Sequence, residues 1–348
     1  MAIYIKGMGN ISPQKSWGEG ALISQPCDYK GDRLSCIEPD YTLYINTQSL
    51  RRMSRIIKMG VTASTMALQE AGIQAPNGII TGTGYGCLED TGTFLGKMVE
   101  NRELALNPTP FIHSTHNTIG SQIALLIKCQ GYNQTYTQGA FSFENSLLDA
   151  LLELKDNPVQ SMLVGGVDEN TVHSHAIQKR FGIFRDAPVS NINLFNIPAA
   201  GTIDGEGAAY FVLSGEKGSH DKVSIDSVST FYKPGHQELL NGIKQFMESA
   251  GEIDLVLLGK CGDQKLDLAT DTISNSLFSS SLIGLFKHLC GEYPTASAFA
   301  MWLGARMIQD QHIPDVVVGG NVDRPLRTIL IYNPYFGKYH SLILLRAC

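Results

Sequence analysis

The sequence has no apolar run near the ~18 residues that a bilayer-spanning helix needs. It also has no C-x-x-C pair among its seven cysteines (Cys27, Cys36, Cys87, Cys129, Cys261, Cys290, Cys348). The first absence removes a membrane span. The second, with an odd cysteine count and no zinc-type spacing, removes disulfide and metal frameworks and points to reduced thiols. A basic excess is missing too. The 27 Lys and Arg against 33 Asp and Glu give a net charge of −6, so a nucleic-acid partner is not expected. The N-terminus starts at once on Ile3-Tyr4-Ile5, without a basic region or a long apolar stretch. A secretory leader is therefore not expected, and a cytoplasmic location is. Neither a Walker A loop nor a G-x-S-x-G elbow occurs. Gly82-x-Gly84-x-Gly86 misses the dinucleotide spacing and reads as a tight strand–helix turn. No cofactor is expected. His113 and His116 lie three apart without a third ligand, in a stretch that Pro108 and Pro110 mark as a loop. They read as structural histidines, and no metal is expected.

What is present is an α/β pattern. Residues 51–72 carry apolar side chains at spacings of three and four and end on Gly72, a helix with a glycine C-cap. Helices are also predicted over 115–129, 143–154 and 295–309. Strands are predicted over 77–82, 134–138, 162–166, 207–213, 222–228, 255–258, 315–319 and 341–345. Ser161–Val167 and Asp315–Asn321 each place a strand before Gly-Gly, and each is followed later by an apolar strand. This predicts an internal duplication, with halves over 1–215 and 221–348. Residues 186–221 read as surface loops and the link between the halves. Thr135–Glu144 reads as a strand running into a small-residue turn at Gly139-Ala140 and out into a helix. Such a turn sets backbone N–H groups where an oxyanion would form.

Together these pieces resemble the β-ketoacyl synthases of the thiolase superfamily, over nearly the whole chain. The residues that carry the resemblance are Ile5–Pro13 (IKGMGNISP), Arg51–Arg55, Gly82–Gly86, Val164–Glu169 (VGGVDE) and Gly205–Ala208 (GEGA). Pro110–Asn117 is similar to a divergent branch with partner subunits in aryl polyene, flexirubin-type and polyketide pathways. The resemblance implies a thiolase-like αβαβα layered fold with two pseudo-repeated halves. It also implies acyl carrier protein as a partner and fatty acid, polyene or polyketide biosynthesis as the setting.

In active members of that family a Cys takes the acyl chain, and two His polarise the malonyl thioester. Here the nucleophile turn falls on Gly139-Ala140-Phe141-Ser142. Counting back from Gly165-Gly166 puts the Cys position on Ala140. A slip by one gives Gly139, and a slip by two gives Gln138. The first His position holds Gly259, ahead of Asp267. The Lys-x-x-x-Gly-His stretch reads Lys287 to Glu292, so Lys287 is retained and the second His is Glu292. The acidic partner usual for that Lys falls on Met301. A buried lysine left alone is costly, which predicts an ion pair between Lys287 and Glu292.

With Ala140, Gly259 and Glu292 at the triad positions, no intact catalytic set remains, and condensation by this chain alone is not expected. The resemblance implies a catalytically degenerate subunit that pairs with an active ketosynthase and shapes chain elongation, in the manner of a chain length factor. Two alternatives stand beside it. One is a divergent acyltransferase using Ser142, Cys261, Cys290, Lys287, His288 or His340. The other is a homodimeric acyl-binding protein. Candidate pocket residues are Gln138, Gly139, Ser142, Cys261, His288, Tyr335, Phe336 and His340. Tyr335 and Phe336 belong to a stretch that resembles the family's C-terminal glycine loop.

Overall fold

The computed structural model describes residues 2–18, 22, 23, 25–319 and 325–348. Ten strands form the main sheet: β1 (Ile3–Ile11), β2 (Gly78–Gly82), β3 (Tyr132–Tyr136), β4 (Ser161–Asp168), β5 (Gly207–Ser214), β6 (Val223–Tyr232), β7 (Leu255–Leu258), β8 (Leu282–Leu285), β9 (Thr328–Tyr335) and β10 (Tyr339–Ala347). The helices are α1 (Arg55–Ala71), α2 (Leu88–Glu100), α3 (Pro108–His113), α4 (Thr118–Ile127), α5 (Ser142–Asp156), α6 (Val172–Arg180), α7 (His236–Ala250), α8 (Gln264–Leu277), α9 (Lys287–Cys290), α10 (Ala296–Asp310) and α11 (Asp315–Val318), besides shorter turns. None of them is long and apolar enough to cross a membrane.

The strand order is β8-β7-β9-β10-β6-β1-β5-β4-β2-β3. Reading outward from β1 gives first, fifth, fourth, second, third. Reading outward from β6 gives the same sequence of positions. The chain thus repeats one topology twice. The two sets meet where Ile3 pairs with Ile225 and Tyr4 with Ser224.

Side-chain alternation sorts the core into layers. On β4, Met162 and Val164 face one way and Leu163 the other. On β7, Leu255 and Leu257 oppose Val256 and Leu258. The shared inner cluster holds Phe143, Leu147 and Leu154 of α5 with Phe299, Trp302 and Leu303 of α10. Ile56 and Ile57 of α1 and Ile119 of α4 cover the outer face of the first set. Leu239 and Ile243 of α7 and Ile273 of α8 cover the outer face of the second. The result is helix, sheet, helix, sheet, helix. Gly9 lets α1 cross β1 closely, because a Cβ there would overlap the Ala63 carbonyl.

Three expectations are corrected. Val316–Val318 read as a strand from its β-branched run, but Asp315–Val318 is one helical turn after Pro314, closed by Gly319 at φ 73°. The remainder of that expected motif, Gly320-Asn321, lies outside the described residues. The strand in the position equivalent to β4 is β9. Pro108 and Pro110 do not make a loop. Pro108 starts α3 at its first position, where its fixed φ suits a helix and its missing N–H is not needed, and Asn107 caps the turn. Finally, 186–221 is not all surface. Asn191, Thr202, Ile203 and Asp204 are buried, and β5 lies in the centre of its sheet.

Candidate functional site

The helices α5 and α10 begin close to one another: Gly84, whose Cβ would meet Pro294 just before α10, also lies near the Gly139 carbonyl just before α5. β3 ends at Tyr136, Gly139 takes φ +57°, and Gly139–Phe141 forms a 3-10 turn that leads into α5. Ala140 is buried at the turn, where its methyl group offers no nucleophile. Ser142 is no substitute. Its buried hydroxyl lies 2.7 Å from the Gly139 carbonyl and 3.0 Å from the Thr83 carbonyl, acceptors that cannot activate it. Gln138 is exposed, and Phe141 packs edge-on against Tyr339 at 5.0 Å.

The first histidine position is filled from the opposite side. A Cβ at Gly259 would sit 2.7 Å from Asn333 Oδ1 and 3.1 Å from its Cα, so a side chain there requires Asn333 to shift. Cys261 and Phe336 line a 40 Å³ cavity with Gly259 and His340. Burial pushes the Cys261 thiol up, which disfavours the thiolate. Cys290 is fully buried, and its thiol is pushed up likewise. His340 Nδ1 meets the Tyr332 hydroxyl at 2.9 Å.

At the second position Lys287 Nζ donates to Glu292 Oε2 at 2.7 Å and to the Pro334 carbonyl at 3.1 Å. Both side chains are fully buried. The separation is well inside the ~6 Å over which opposite charges shift one another. Burial pushes Glu292 up to about 7, against the pull of Lys287. A second buried carboxylate lies nearby. Glu144 on α5 accepts the Ser341 hydroxyl at 2.7 Å and also feels the Lys287 charge. Met301 stands in the core and supplies no charge.

Glu292 lines a cavity of about 10 Å³ with Tyr85, Asp168, Asp204, Tyr335 and Phe336. That is room for about one water. The Tyr85 and Tyr335 hydroxyls are 3.4 Å apart across it. Asp168 ties the glycine turn to the start of α10. It accepts from Thr83 Oγ1, from the N–H groups of Gly84 and Tyr85, and from Thr295 Oγ1. The structure therefore gathers Ala140, Gly259, Lys287 and Glu292 around the ends of the two central helices. His288 lies elsewhere, on the other side of α9, with Nε2 at 3.0 Å from the Val316 carbonyl. Sequence reasoning gave no site role to Glu144 or Asn333, which carry no linear motif, nor to Asp168 and Tyr85, which lie inside the Val164–Glu169 and Gly82–Gly86 stretches.

His113 Nδ1 lies 3.7 Å from Asp90, and the His116 ring packs on Gly86. Among the described residues no group of three His, Cys, Asp or Glu side chains is placed to hold a metal ion.

Burial also pushes Glu169 up to about 7. A carboxyl raised in the fold stabilises in its protonated form. That contribution is present below its ordinary pKa and is lost as pH rises through the folded one. Glu169→Gln removes the penalty. Relative to the parent, it is expected to gain stability as pH rises from 5 to 8, by up to about 3 kcal/mol. Urea unfolding of both proteins at the two pH values checks this, and a stability difference unchanged between pH 5 and pH 8 would refute it.

A family model described as β-ketoacyl synthase, N-terminal domain, matches residues 13–218. The chain belongs to the β-ketoacyl synthase family. Solved structures with a similar fold include the ishigamide ketosynthase/chain length factor (17% identity, 100% of this chain and 99% of that chain covered, TM-score 0.83). They include AntDE:AntF, a type II PKS acyl-carrier protein in complex with its ketosynthase (14%, 100% and 99%, 0.76). A third is the ketosynthase ApeO in complex with its chain length factor ApeC from Xenorhabdus doucetiae (15%, 100% and 98%, 0.73). At these identities the likeness is one of fold. No curated protein matches the chain by sequence.

Proposed function

We propose that the chain is a condensation-silent ketosynthase-like subunit. It would pair with an active ketosynthase and shape the elongation of acyl chains carried on acyl carrier protein, in polyketide, polyene or fatty acid biosynthesis. The observation that carries this reading is the buried Lys287–Glu292 pair, with Glu292 on the wall of a water-sized cavity, together with a turn at Gly139-Ala140 that has no thiol. Decarboxylative condensation needs a thiolate and neutral imidazole donors. A carboxylate paired with an ammonium supplies neither. Domain halves over 1–215 and 221–348 fit the repeated strand order.

Partnering has its own support. Residues 88–117, which include α2 and α3, contain no buried side chain. Leu95, Val99, Leu104, Phe111 and Ile112 are exposed there, as is Leu125 on α4. Of these, Leu125 sits on α4, which packs beside β3, an outermost strand. Exposed apolar side chains and an open strand edge invite a second sheet-bearing subunit. Fold neighbours include a ketosynthase with its chain length factor and a ketosynthase with its carrier protein.

Affinity purification of the tagged chain from its native host, read by mass spectrometry, tests the proposal. The expected result is an equimolar ketosynthase with an intact Cys-His-His set. Recovery of the chain only with itself would overturn the pairing. Condensation of acyl and malonyl carrier protein by the purified chain alone would overturn the silence.

A further inference from the structure

The helix beside the Glu292 cavity is held by charges rather than by packing. α6 has no buried residue, and its Val172 and Ile177 are exposed. Ser174 and Gln178, four apart and so on one helix face, line the cavity with Glu292. His175 and Lys179, one position further on, form the adjoining face. His175 Nδ1 meets Asp204 Oδ2 at 2.8 Å, and its Nε2 lies 3.3 Å from Asp32 Oδ2. Lys179 Nζ donates to the same Asp32 oxygen. Phe184 stacks on the imidazole at 4.8 Å, with the planes 8° apart.

Both carboxylates stand on a fixed frame. The Asp204 N–H donates to the Asp32 carbonyl at 2.9 Å, and the Leu34 N–H to the Asp204 carbonyl at 2.9 Å. The next link reaches Glu292 itself, whose N–H donates to the Ile203 carbonyl at 2.9 Å.

Two carboxylates on one ring call for two ring protons. An imidazolium donates from both nitrogens, and a neutral imidazole from one only. Once a proton leaves, one nitrogen turns its lone pair on a carboxylate. The other charges around the ring are already engaged. Arg33 bonds Asn170, and Glu206 is paired with Arg55. The Asp204 hydrogen bond, helped by the charges of Asp204 and Asp32, raises His175 above its ordinary 6.5. Its stabilisation is present below that ordinary value and is lost as pH rises through the folded one. Burial also pushes Asp168 up to about 6, and Glu169 and Glu292 up to about 7, in the same lining. A variant without the imidazole separates their titration from that of His175.

We propose that α6 is a proton-held lid: doubly protonated His175 clasps it to Asp32 and Asp204 beside the Glu292 cavity, and loss of one proton releases it. The lid is independent of the silent-subunit reading and does not require a partner.

Hydrogen exchange of the full chain tests it, read by mass spectrometry at pH 6 and pH 9 and corrected for the intrinsic pH dependence of exchange. In the parent, the amides of α6 are expected to open about tenfold more at pH 9 than at pH 6, while those of α5 stay protected at both. His175→Gln cannot titrate and should exchange equally at the two values. Asp32→Asn offers an amide N–H to the neutral ring and should keep α6 closed at pH 9. Equal exchange of the parent at both values would overturn the proposal. So would a His175→Gln variant that keeps the parent's pH dependence, because the cavity carboxyls would then be its cause. An Asp32→Asn variant that opens at pH 9 as the parent does would overturn it as well.

Discussion

Glu292→Gln is expected to destabilise the chain by about 3 kcal/mol, because it strands the Lys287 ammonium in the core. The parent pair is fully buried, so no solvent screening softens the loss. Replacing both groups is expected to cost far less. Lys287→Met with Glu292→Leu removes both desolvated charges, and such apolar replacements are often neutral or better. Two residual costs keep the double variant from gaining fully. The Pro334 carbonyl loses its donor, and Glu144, already pushed up by burial, loses the opposing pull of Lys287. The double variant is therefore expected within about 2 kcal/mol of the parent. Urea unfolding of the parent, Lys287→Met, Glu292→Leu and the double variant closes this cycle. Single variants no worse than the double one would show that the pair contributes nothing.

The second large effect is on association. Ile112→Asp with Leu125→Asp places two charges among the exposed apolar side chains of α2, α3 and α4. Both residues are more than half exposed in the single chain, so folding stability should change by less than about 0.5 kcal/mol for each. Binding to the co-purifying subunit is expected to weaken at least about 100-fold, since buried apolar anchors of an interface contribute 2 kcal/mol or more apiece. Comparison of dissociation constants with thermal midpoints separates the two effects. Unchanged affinity would move the interface away from these residues.

Much of the frame was legible in the sequence, and for physical reasons. α1, α5 and α10 announce themselves because one stripe of each must be apolar. β4, β5 and β7 do so because both faces are covered. Gly72 ends α1 in the left-handed conformation that the sequence suggests. The run of three valines misled, because β-branched propensity yields to the local stop at Pro314 and the turn at Gly319. α2 escaped notice because it has no buried face to impose a pattern. At the site, Ala140, Gly259, Lys287 and Glu292 could be placed by counting along linear stretches. Glu144, Asn333 and Ser341 could not. They meet Lys287 and Gly259 only after strands and helices from remote parts of the chain stack. No spacing rule records that Asn333 closes on the space beside Gly259.

The pairing of β1 bears on how the molecule is made. Its neighbours are β5, from residue 207, and β6, from residue 223. Ribosomes add about 5–20 residues per second. The first apolar strand therefore leaves the ribosome about 10–40 s before either neighbour exists. Through that interval its backbone is an open template for wrong partners. A nascent chain of this topology leaves that strand open far longer than a strand pairing within a hairpin would.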